Sequence, residues 1–173
     1  FHQAEPLRLG MSREELRTRV GLKSTIFAQL LATQDQILEE QNRVRLAGHV
    51  VLFTDEQQAR ITELEARFAA APYTPPSFAE AAQIVGEPVL YALIDLGHIV
   101  QVQPDVIFAA SVYRELVDAV LQSIDNDGQI AANTLRDRFG TTRKYAIGLL
   151  EYLDNIHITR RVGDARVRGS RQA

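Results

Sequence analysis

The chain has 173 residues, 46% hydrophobic and 24% charged, with a formal net charge of −3 and no cysteine, a balance that belongs to a globular chain rather than a disordered one. Disulfide and thiolate chemistry are excluded, no apolar run approaches the roughly 18 residues that a membrane-spanning helix needs, and there is no secretory h-region. The charge is uneven: residues 1–110 carry 9 Lys and Arg against 14 Asp and Glu, whereas residues 136–173 carry 9 against 4. An acidic chain with a basic end points to a polyanion partner for the C-terminal part, the alternative being a solvated surface with uneven decoration.

In chain order, Phe1–Glu5 reads like the end of a helix begun upstream, so the sequence is taken as a piece of a longer protein. Ser12-Arg13-Glu14-Glu15 is a capping-box pattern that starts a short helix running to Gly21. A second helical stretch carries Ile26 and Leu31. Residues 42–53 alternate in period 2 and predict two short strands around Gly48. Residues 55–70 place Ile61, Leu64 and Phe68 on one helical face. Pro75-Pro76 delays the next helix, which Ser77-Phe78-Ala79-Glu80 then caps. After Gly86 and a further helix, residues 99–108 predict a hairpin turning at Pro104-Asp105. Residues 111–124 place Leu116, Val117, Val120, Leu121 and Ile124 on one face, and the following short helix has Asn133 or Asp127 as its nearest capping candidate. Phe139-Gly140-Thr141-Thr142-Arg143-Lys144-Tyr145 opens the last helix, whose apolar stripe is Ile147, Leu149, Leu150 and Leu153; residues 157–168 then predict a hairpin turning at Gly163-Asp164.

These elements repeat. When Gly21, Gly86 and Gly140 are aligned, apolar residues stand five before (Leu16, Ala81, Leu135), one before (Val20, Val85, Phe139), five after (Ile26, Tyr91, Tyr145) and ten after (Leu31, Leu96, Leu150). Each glycine suits the tight turn between two helices. The order helix, helix–turn–helix, hairpin is that of a winged helix. The expected fold is α+β, mainly α: tandem winged helices in three copies over 1–53, 54–110 and 111–173, the first lacking most of its first helix.

Enzymatic motifs are absent: there is no G-x-x-x-x-G-K-[S/T], G-x-G-x-x-G, H-E-x-x-H or G-x-S-x-G, and His2, His49, His98 and His157 have no metal-type neighbours. No catalytic residue, cofactor or metal is therefore expected in this stretch. The third copy differs from the others in charge. Thr141 and Thr142 fall at the start of its second helix, where free N–H groups and the positive dipole end favour a phosphate, and Arg143 and Lys144 follow in the first turn. Arg160, Arg161, Arg166 and Arg168 belong to the wing; if it folds beside the helix start, one continuous positive face results. The first copy has Leu22-Lys23-Ser24-Thr25 at those positions and the second Glu87-Pro88-Val89, so only the third is built for a polyanion. Tyr145 either faces the core, as Ile26 and Tyr91 suggest, or stacks on an unpaired base. A DNA-binding transcription regulator and a protein-interaction scaffold remain as rival readings, the latter chiefly for residues 1–110.

Phe139-Gly140-Thr141-Thr142-Arg143-Lys144-Tyr145-Ala146, Leu149-Leu150-Glu151-Tyr152-Leu153-Asp154 and Thr159-Arg160-Arg161-Val162-Gly163-Asp164 closely resemble the C-terminal end of the SelB family of bacterial selenocysteine-specific elongation factors, and residues 6–16 resemble the same family's second winged helix. The resemblance implies a translational GTPase whose GTP, magnesium and selenocysteinyl-tRNA sites lie upstream, and which works with the ribosome in the cytoplasm. It implies that this chain holds the second to fourth winged helices and that the last binds the selenocysteine insertion element (SECIS), an mRNA hairpin beside an in-frame UGA codon. The RNA-binding positions it carries over are Thr142, Arg143, Lys144, Arg160, Arg161 and Arg166. Since an A-form major groove is too deep and narrow for side chains to read, such a domain is expected to hold loop phosphates and an extruded base.

Overall fold

A computed structural model describes residues 1–171 other than Gln41. The chain forms two compact units, Phe1–Gln58 and Ala59–Ala173.

In the first unit β1 (Met11–Ser12) leads into α1 (Arg13–Val20), α2 (Ser24–Ala32), β2 (Ile37–Glu40) and β3 (Arg43–Leu46), and the strands form an antiparallel sheet in the order β1-β3-β2. Gly21 ends α1 in the left-handed region at φ 67°, where its N–H reaches the carbonyls of Arg17 and Thr18. Helix α1 adds only the half-buried Leu16 to the core, whereas α2 buries Phe27 and Leu31 against Val44 of β3. Ser12 accepts from the Glu15 N–H at 3.1 Å, but the box is only half made, because the Glu15 carboxylate pairs with Arg19 at 2.8 Å instead of reaching back.

The first hairpin lies one strand earlier than its alternation predicts. Glu40 pairs with Arg43, and Asn42, at φ 66°, takes the left-handed position that a short amide side chain tolerates. Val44 is paired on one side with Met11 and on the other with Glu39. Both edges of β3 are thus occupied before the chain reaches Gly48. Residues 49–53 find no ladder, and Val50 and Leu52 remain 68% and 77% exposed.

His2 and His49 stack with ring centroids 3.6 Å apart, and the His49 Nε2 lies 3.0 Å from the Arg8 carbonyl oxygen. Burial, and next the charge that a protonated His49 would carry, hold the His2 pKa below its ordinary value of 6.5. The fold therefore favours neutral His2, and the stability this contributes is complete above pH 6.5 and is lost as pH falls through the lower folded value. The melting temperature of the first unit is expected to fall on acidification below pH 6.5, and His2→Asn to flatten that slope; a parallel slope in parent and variant would refute the assignment.

The second unit contains most of α3 (Asp55–Ala70), then α4 (Phe78–Val85), α5 (Glu87–Asp95), β4 (Ile99–Gln103) and β5 (Val106–Ala109), followed by α6 (Ala110–Asp127), β6 (Ile130–Ala131), α7 (Ala132–Phe139), α8 (Arg143–Asn155), β7 (Thr159–Val162) and β8 (Ala165–Arg168). The winged-helix order occurs twice here, and both hairpins turn where the sequence places them. Ser77 and Glu80 complete the full capping box of α4. The start of α7 corrects the expectation: Ala131 is its N-cap, Asp127 ends α6, and the Asn133 side chain accepts from the adjacent Thr134 N–H at 2.9 Å.

The β4–β5 hairpin shares a core with the elements that follow it. Val102, Val106 and Phe108 of the β4–β5 hairpin are buried together with Leu116, Val117 and Val120 of α6 and with Leu149, Leu150 and Leu153 of α8. Glycine at 148 suits this approach: a Cβ there would stand a tight 3.3 Å from Gln103 Cγ and an ordinary 3.6 Å from a Val106 methyl.

Candidate nucleic-acid interface

The start of α8 is set by the glycine turn and by two tethers. Gly140 sits at φ 60°, ψ 25°, and the Thr141 N–H continues to the Arg136 carbonyl at 3.1 Å, which closes α7 and aims the chain into α8. The Thr141 hydroxyl donates to the Tyr73 carbonyl, and the Tyr145 hydroxyl donates to the Pro75 carbonyl at 2.5 Å. Tyr145 lies edge-on to Phe108, centroids 5.8 Å apart, and burial raises its pKa. Its packed reading is the one the structure adopts, and its ring is committed to the wing of the preceding copy.

Thr142 is the N-cap of α8 in extended conformation and its exposed side chain makes no cap bond, which leaves the hydroxyl and the first N–H groups of the helix toward solvent. Arg143, the first residue of the helix, is exposed. It lines an open cleft of about 570 Å³ with Arg136 of α7 and with Arg161 and Arg166 of the wing. Ala131, Ala132 and Ile147 supply apolar wall; Asn133, Glu151 and Asp164 supply hydrogen-bond acceptors. Four arginines thus line one concavity that also contains groups able to distinguish a donor from an acceptor on a ligand.

The other sequence-derived positions fall differently. Lys144 points away from the cleft toward the β4–β5 turn, where its Nζ meets Asp105 Oδ2 at 2.7 Å. That hydrogen bond raises the Lys144 pKa and lowers that of Asp105. Both side chains are about half exposed, so the pair adds little to stability. Arg161 stands directly opposite Arg166 in the ladder, while Arg160 stands opposite Val167, so Arg160 leaves the other face of the wing. Arg166 is only 4% exposed and is held by Asp154, with its Nε 3.1 Å from Oδ2. Arg168 pairs with Asp125 at 2.8 Å and Arg161 approaches Asp164 at 3.9 Å. Among the described residues, Arg143 and Arg160 make no ion pair.

Arg136 was not among the positions singled out from the sequence. It stands one turn after Asn133 on α7 and shares the cleft with it. The helical spacing of these two residues was the available signal, but only the packing of α7 against α8 turns that face toward Arg143.

Family models described as elongation factor SelB, winged helix, match residues 1–51 and residues 122–168, together more than half of the chain. The selenocysteine-specific elongation factor of Desulfomicrobium baculatum is 31% identical over 96% of this chain, which spans 28% of that relative's length. The mRNA-binding domain of elongation factor SelB from E. coli, solved in complex with SECIS RNA, superposes with a TM-score of 0.54 at 27% identity, covering 68% of this chain and all of that domain. A bacterial selenocysteine-specific elongation factor EF-Sec shares the fold at a TM-score of 0.54 and 17% identity over 94% of this chain and 26% of its own. With its repeated winged helices and its basic terminal copy, the chain belongs to the SelB elongation-factor family, within that family's winged-helix part.

Proposed function

We propose that this chain is the messenger-binding part of a selenocysteine-specific elongation factor, and that its last winged helix holds an mRNA hairpin of the SECIS type. The observation that carries the reading is the cleft in which Arg136, Arg143, Arg161 and Arg166 converge at the start of α8. The positions offered to RNA are Thr142, Arg143, Lys144, Arg160, Arg161 and Arg166. The division into three winged helices over 1–53, 54–110 and 111–173 belongs to the same proposal, with the first two acting as a spacer. No described helix is long and apolar enough to cross a membrane. GTP, magnesium, selenocysteinyl-tRNA and the ribosome are engaged, on this reading, through parts of the protein outside these residues, and the factor works in the cytoplasm.

The test is a titration of the chain with a hairpin RNA, with the same RNA opened into a single strand, and with duplex DNA. The hairpin is expected to bind tightest, with log K falling against log salt by about 0.7–0.9 per phosphate engaged. Tightest binding to duplex DNA would replace this reading with that of a DNA-binding regulator.

A further inference from the structure

Resting on that reading of the cleft, we propose that Asp154 is a positioning residue for RNA, fixing the plane in which Arg166 presents its guanidinium to the ligand. Asp154 sits in the last turn of α8, and each of its carboxylate oxygens is engaged. Oδ2 accepts from Arg166 Nε at 3.1 Å, and Oδ1 accepts from the Thr159 hydroxyl at 2.6 Å. All three side chains are shielded: Thr159 is 2% exposed, Arg166 4%, and the Asp154 side chain 20%. Arg166 nevertheless lines the cleft. A guanidinium has five donors in a rigid plane, and Asp154 takes the one at Nε, which leaves the terminal nitrogens for whatever enters.

The surroundings make this arrangement costly as mere scaffolding. Arg161 lies directly across the ladder from Arg166, and like charges in that register repel. A buried arginine without a counter-charge would turn toward solvent or disrupt the wing. The Asp154–Thr159 pair holds it in place, and one helix therefore carries an RNA-facing arginine at its first residue and the anchor of another near its last. The same carboxylate lowers the net positive charge of the site by one. Attraction and positioning consequently predict opposite signs for its removal.

Asp154→Asn, Thr159→Val, Arg166→Gln, Arg143→Ala and the double variant D154N/R166Q are to be titrated in the full 173-residue chain with one hairpin RNA, at a temperature below each variant's melting transition. Asp154→Asn is expected to weaken hairpin binding by about 5- to 50-fold although it makes the site more positive, and Thr159→Val, which leaves every charge in place, by about 2- to 10-fold. The double variant is expected to bind no worse than Arg166→Gln alone, because Asp154 acts through Arg166. Binding by Asp154→Asn as tight as or tighter than the parent, or additive losses in the double variant, would overturn the assignment. If Asp154→Asn does not fold, unchanged affinity of Thr159→Val overturns it instead. A weakened Arg143→Ala beside unaffected Asp154→Asn and Thr159→Val removes the positioning role and leaves the cleft standing. An unaffected Arg143→Ala removes the cleft, and the positioning role with it.

Discussion

Replacing Arg143 with Ala is expected to weaken binding of a hairpin RNA by about 5- to 150-fold, the range for losing an arginine that reads a base or grips a phosphate from two points. Arg143 is the one cleft arginine among the described residues that no carboxylate engages, so nothing in the protein has to be displaced before it meets RNA. It also lies at the N-terminus of α8, where the helix dipole adds to its charge. Because the side chain is exposed, thermal stability should stay within about 0.5 kcal/mol of the parent. Adding Arg161→Ala in the wing should deepen the loss and flatten the salt dependence. Lys144→Ala should do less, since Lys144 already spends its charge on Asp105 outside the cleft. Equal affinity of parent and Arg143→Ala for the hairpin, measured by titration at two salt concentrations, would remove RNA from this surface.

Phe108→Ala should destabilise the second unit by about 3–5 kcal/mol, as for a large aromatic side chain deleted from a packed core. Phe108 is 1% exposed and lies on β5, the wing of the second winged helix, yet its neighbours are in the core of the third. Tyr145, one turn into the helix that offers Arg143, packs edge-on against it. The loss should therefore appear as an earlier unfolding transition by circular dichroism, accompanied by weaker RNA binding near that transition because the start of α8 loses its support. Leu52→Ala is the control: at 77% exposure it should cost within about 0.5 kcal/mol. A loss below 1 kcal/mol for Phe108→Ala would mean that the hairpin is not a working part of that core.

Local chemistry determined much of this protein. Glycine at 21, 86 and 140 takes φ of 67°, 82° and 60° between pairs of short helices, as the tight turns demand. Pro104-Asp105 and Gly163-Asp164 turn their hairpins because those residue types favour reversal, and the apolar stripes of α3, α6 and α8 become buried apart from the half-buried Ile147 and Leu121. The concentration of arginine in the last copy is likewise plain from counting. What counting could not reveal is which cations are free. Arg166 answers to Asp154, 12 residues away, and Lys144 to Asp105, 39 residues away. Such pairs exist only after helices and strands have packed. The first hairpin was misplaced for a related reason: alternation marks residues 50–53 as strand-like, but a strand needs a partner edge, and β1 and β2 occupy both edges of β3. Period, turn residue and charge are properties of neighbours along the chain and are readable from it. The partner of a strand edge or of a buried charge is a property of neighbours in space, which the folded structure alone assigns.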